Sequence, residues 1–348
     1  MSTYFAIKGQ KIQGLSPEPT NLTLGQVWYN TSAQSIRLNT IIGPNAWATG
    51  NNMNLGRKRA GGCGTQTSAV VFGGEGPSSN KIAATELYNG TWTSSGNMSM
   101  GRNSLGSCGT QTAALAFGGQ GTNPSPPSIT NVTEKFNGSA WTTNPSAMTY
   151  GRALLKGAGT QTAAVAFGGE NVGSGPTVFY GYTENFNGSS WTNGGNLNQP
   201  RYNIGGAGTL TSALCWGGTN NSPSNPPSFI AGIFTEKYNG SVWASNSATF
   251  NPPGGRSDAG SAGASNSSVI SFGGSPAGAD TVTNFNGSAW TTTTALNNST
   301  GRGGMSGAGT QTAALGIGGQ TSAVPGGATD TEIWFGSQSP GSITINAL

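Results

Sequence analysis

The sequence predicts an all-β fold, a six-bladed β-propeller with four antiparallel strands per blade, and three observations carry that prediction. A GTQT signature recurs at Gly64, Gly109, Gly159 and Gly309, with GTLT at Gly208 and a decayed GASN at Gly263, a period of about 50 residues. Each copy runs into an apolar segment closed by a glycine pair, from Gly73-Gly74 to Gly318-Gly319. An alternating segment ending in Asn-Gly and followed by Trp comes next, as in TEKFNG with Trp141. Composition agrees. Glycine is 59 of 348 residues, charged residues are 7% against about 25% in an average soluble chain, and Gly, Thr, Ser and Asn replace helix formers.

The elements of one repeat follow in order. Strand A is built of small residues, as in GGCG, GSCG and GAGT, because the innermost strands of a propeller crowd round its axis. Strand B, as in AALAFGG, is a short apolar run flanked by glycines, which suits a strand buried on both faces. Strand C alternates and turns its aromatic residue to the buried side. Asn-Gly then makes a tight hairpin turn, since both residues accept positive φ. Strand D opens with Trp92, Trp141, Trp191, Trp243 or Trp290. These aromatics repeat strictly, which marks them as blade-to-blade core.

The sixth copy lacks the Asn-Gly and the Trp. The chain start supplies Trp47, so a strand near residues 45–50 is expected to complete the last blade and remove an open sheet edge. The organisation expected is therefore an N-terminal segment with a β-hairpin over residues 1–35 and the propeller over 36–348.

Several functions fall away. No window approaches 18 consecutive apolar residues, so no membrane span is expected. The N-terminus has no apolar core of a secretory signal. The net charge of +4 is spread thinly, unlike a nucleic-acid surface. Histidine is absent, which removes imidazole as base or metal ligand. Glu86, Glu134, Glu184, Glu236 and Glu332 occupy one repeated position, unlike a catalytic carboxylate pair. A non-enzymatic protein is expected, with no catalytic residue, metal or cofactor. Cys63, Cys108 and Cys215 are odd in number and read as small buried packers in a reducing compartment.

Two residue sets are candidates for binding. Arg57, Arg102, Arg152, Arg201, Arg256 and Arg302 each precede a GTQT-equivalent glycine, which puts them in the D-to-A connections near the channel mouth. They form either an anion-binding ring or structural bonds to carbonyls and the repeated Glu, and their recurrence in every blade favours the structural role. The loops after the glycine pairs vary, and those of blades three and four carry Phe179, Tyr180, Tyr182, Phe229 and Phe234. Non-repeating aromatics on long loops suit recognition, with local packing between neighbouring blades as the alternative.

The double glycine, the strand C aromatic, the later Trp and the Arg beyond it resemble the kelch motif of galactose-oxidase-type propellers over residues 45–336. The copper-radical chemistry of those relatives needs imidazole ligands, which this chain lacks. Gly25, Gln26, Trp28, Tyr29 and Asn30, followed by Ser35-Ile36-Arg37-Leu38, are similar to the starts of virion structural proteins in T4-like tailed phages of marine cyanobacteria. That resemblance implies a virion structural protein, made in the host cytoplasm: a tail-fibre, baseplate or capsid-surface component. Trp28 and Tyr29 would serve in anchoring, and the partners would be other virion subunits and a host surface glycan or receptor. The alternative is a stand-alone kelch module that binds carbohydrate or protein.

Overall fold

A computed structural model describes residues 14–15, 27–30, 35–42, 45–122, 129–171, 178–219, 233–250, 256–275, 280–297, 301–321, 323–336 and 339–345. The chain divides into two compact units, Met1–Ala46 with Phe335–Leu348, and Trp47–Trp334.

The first unit holds one sheet in the order Gly14–Leu15, Val27–Asn30, Ser35–Ile42, Ser339–Ile345. The first pair is parallel and the other two are antiparallel. Ser35–Ile42 pairs over seven residues with the last strand of the chain, from Ile36 opposite Ile345 to Ile42 opposite Ser339. This unit therefore extends past residue 35 and takes in the C-terminus, a pairing that no local pattern announces.

The second unit is the propeller. Blade one runs Gly61–Gly64, Ala69–Phe72, Thr85–Tyr88 and Trp92–Ser95, each strand antiparallel to the next. Blades two to five repeat this order, and blade six places Ala46–Thr49 outside Thr331–Phe335. The Gly50 N–H donates to the Thr331 carbonyl at 2.8 Å. The closing strand expected near residues 45–50 is thus Ala46–Thr49.

Strand B is buried on both faces, as its composition requires: Leu115, Ala116 and Phe117 expose no surface. Each strand D Trp sits between two blades. Trp191 packs at 4.9 Å on Phe186 of its own blade and at 5.0 Å on Phe117 of the blade before. Its indole N–H donates to Thr133 Oγ1 of that earlier blade at 2.8 Å. The pattern recurs from Trp92 to Thr331, Trp141 to Thr85, Trp243 to Thr183 and Trp290 to Thr235.

The GTQT glutamine is a second staple. Gln161 Nε2 donates to the Ala114 and Phe136 carbonyls, at the ends of strands B and C of the preceding blade. Gln66, Gln111 and Gln311 do the same. Leu210 has no such donor, and Asn266 reaches only the Tyr238 carbonyl. The glycine that opens strand A answers to its own blade as much as to the axis. A Cβ at Gly106 would lie 2.2 Å from the Phe117 ring.

Candidate functional site

The antiparallel order brings the D-to-A connections and the B-to-C loops to one end of the propeller, here the loop face. The six arginines lie there, and five are spent on their own blades. The Nη2 of Arg57, Arg102, Arg152 and Arg201 lies 2.6, 2.7, 3.1 and 2.9 Å from Glu86, Glu134, Glu184 and Glu236, and Arg302 pairs with Glu332. Each Nη1 donates to the carbonyl of the first glycine in the pair, as Arg102 does to Gly118 at 3.0 Å. The second carboxylate oxygen accepts a backbone N–H from the incoming connection, from Asn54, Ser99, Thr149, Asn198 or Asn297.

All ten side chains of these pairs are buried. Burial lowers the Arg102 and Arg152 pKa to about 10, against the opposing pull of Glu134 and Glu184, so both stay charged at neutral pH. The geometry is that of blade-internal clamps holding the B-to-C loop. It leaves no ring of open guanidiniums for an anion.

Blade five departs from the rule. Val282 stands at the position of Thr85, and Thr283 at that of Glu86. Arg256 is buried, yet among the described residues the only hydrogen bond of its guanidinium is to the Gly273 carbonyl at 3.3 Å, and its Nε has no partner. Trp47 Nε1, which would meet the Thr hydroxyl, is likewise unpartnered.

Two residues beyond each arginine lies a closed ring that the sequence did not disclose. Arg59, Ser104, Leu154, Asn203, Asp258 and Gly304 all have φ between 52 and 68°. Each N–H donates to the equivalent carbonyl of a neighbouring blade: Arg59 to Gly304, Ser104 to Arg59, Leu154 to Ser104, Asn203 to Leu154, Asp258 to Asn203 and Gly304 to Asp258, at 2.7–3.1 Å. Ser, Asn, Asp and Gly tolerate this left-handed backbone, but Arg59 and Leu154 give no sequence signal for it. Arg59 Nε also lies 2.9 Å from Asp258 Oδ2.

The loop aromatics gather at blade three. Tyr182 stacks on Tyr150 at 4.2 Å and on Tyr180 at 4.9 Å, and Phe179 stacks on Tyr202 at 4.9 Å. These five rings are half-buried. Tyr150 and Tyr202 were not among the sequence candidates, because they flank the repeated Arg152 and Arg201 rather than lying in the variable loop. Phe234 is exposed in blade four, beside exposed Ile233. Phe229 lies outside the described residues. Trp28 and Tyr29 lie on Val27–Asn30, opposite Arg37 and Ile36.

The central channel holds a cavity of about 130 Å³ lined by strand A of all six blades. Cys63 and Cys108 line it, and Cys215 is buried elsewhere. Burial pushes the Cys108 and Cys215 thiols up to about 12 and that of Cys63 well above its ordinary value, so all three are neutral. Lys156 is the single charged residue of the lining. Among the described residues, no helix is long and apolar enough to cross a membrane.

Compared with known proteins, the chain matches no family model and none of the curated proteins.

Proposed function

We propose that this chain is a non-enzymatic structural and recognition component of a tailed-phage particle, in its tail fibre, baseplate or capsid surface. Its propeller, of the kelch type, docks a neighbouring subunit or a host surface through the blade-three side of the loop face. The observation that carries this reading is the cluster of Tyr150, Phe179, Tyr180, Tyr182 and Tyr202. Among the described residues, the other aromatic contacts between blades repeat, apart from those of Phe250 with Trp216 and Trp290, whereas this cluster belongs to one blade and its neighbour. Rings stacked on one another have little freedom left to lose, so they offer a rigid amphipathic face at low entropic cost. The similarity of residues 25–38 to virion proteins supports the particle context, with residues 1–35 as the anchor.

The test replaces Phe179, Tyr180 and Phe234 together by Ser. Incorporation into particles, or adsorption to host cells, is expected to fall by about tenfold or more, equivalent to roughly 1.4 kcal/mol of lost contact. The melting temperature should move little, since the three side chains are half-buried or exposed. Particles that assemble and adsorb like the parent would remove the loop face from consideration.

A further inference from the structure

We propose that the central channel binds a small oxyanion, a carboxylate or a phosphate, on the Nζ of Lys156. The argument starts from a broken repeat. The first residue of strand A faces the end of strand B in every blade, and the six residues there are Gly61, Gly106, Lys156, Gly205, Gly260 and Ser306. In four blades the position is glycine, and a Cβ would stand 2.2–2.4 Å from the aromatic ring opposite. Lys156 occupies the slot in blade three, and its Cβ lies 2.7 Å from where a Cβ on Gly206 of blade four would be. The lysine is the one charged side chain placed in this inner-strand slot.

Its electrostatics point the same way. Among the described residues, no hydrogen bond or ion pair involves the Lys156 ammonium. Asp258 is the carboxylate whose charge it feels, but Asp258 is already paired with Arg59 at 2.9 Å. Asp258 is thus shared between Arg59 and Lys156, while Arg59 also feels Glu75 and Glu170. Burial lowers the lysine pKa against the opposing pull of Asp258, with which it forms no ion pair. The two thiols of the lining are neutral and offer no anion. Ser107, Ser261 and Ser306 supply hydroxyls to the wall, already bonded to the Gly62, Gly206 and Ala60 carbonyls.

The space fits a small guest. A cavity of about 130 Å³ is roughly ten times the ~10–15 Å³ that one water requires. It admits a phosphate or a short carboxylate with some water, and excludes a nucleotide or a peptide.

The full-length protein is melted in chloride, acetate and inorganic phosphate at constant ionic strength and pH, beside Lys156→Gly and Lys156→Gln. Lys156→Gly installs the residue that four blades already carry, so it is compatible with the fold. Acetate or phosphate should raise the wild-type Tm by about 2 °C or more, and neither variant should respond. A rise with phosphate alone identifies phosphate chemistry, and a rise with acetate alone a carboxylate. Crystals grown with selenate should show an anomalous peak within about 4 Å of Lys156 Nζ, an oxygen of the anion lying between. No rise with either anion, a rise that survives in both variants, or no selenate peak in the channel would overturn the proposal.

Discussion

Thr283→Glu supplies blade five with the carboxylate that every other blade has. Arg256 is already buried, so most of the cost of removing a guanidinium from water is present in the wild-type fold. Its guanidinium makes one long bond, 3.3 Å to the Gly273 carbonyl, and its Nε makes none. In the equivalent clamps the Nη2–carboxylate distance is 2.6–3.1 Å. A hydrogen bond between charged groups contributes about 1.5–3 kcal/mol. Burying the new carboxylate near Asp280, whose charge already acts on Arg256, offsets part of that gain. The expected net stabilisation is about 1–2 kcal/mol, a Tm rise of about 2–6 °C. Calorimetry and denaturant melts of wild type, Thr283→Glu, Arg256→Met and the double variant close a thermodynamic cycle. The gain should vanish without the arginine, giving a coupling of about 1–3 kcal/mol. A Thr283→Glu protein that melts lower than wild type, or that gains equally in the Arg256→Met background, would refute the clamp as the reason for the repeated Arg and Glu.

Three further outcomes follow from the same geometry. Glu134→Ala leaves Arg102 buried without its counter-charge and should cost about 3–5 kcal/mol in a urea melt. A chain of residues 51–348 loses Ala46–Thr49 and Trp47, exposes the edge of Thr331–Phe335, and should aggregate on light scattering, while residues 35–348 should keep the propeller's melting transition. Burial holds the Lys156 pKa below its ordinary value of 10.5, so the unfolded chain binds this proton more tightly. The stability of wild type relative to Lys156→Gln, measured without phosphate or acetate, should therefore rise as the pH climbs from 7 towards that value. A difference independent of pH would show that the ammonium is not desolvated.

Blade number, strand order and the closing strand were legible in the chain because each rests on a local pattern repeated six times. Phe117, Phe186 and Trp191 meet across two blades, and repetition alone predicted that they form core. Trp47 could be matched to a vacancy in the last repeat for the same reason. The role of the arginines was narrowed by recurrence, and the ion pairs decided it. The Arg102 carbon and nitrogen positions relative to Glu134 depend on how a connection folds back over a loop 32 residues away, which no spacing rule encodes. The same limit hid the ring through Arg59 and Leu154, whose left-handed backbone is imposed by bonds to neighbouring blades against the residues' own preference. Tyr150 joins Tyr180 and Tyr182 only through packing. Lys156 was visible in the sequence as an ordinary lysine. Its place opposite Phe167, in a slot that four blades keep as glycine, exists only once six inner strands converge on one axis, because desolvation and the absence of an ion pair are properties of the assembled channel.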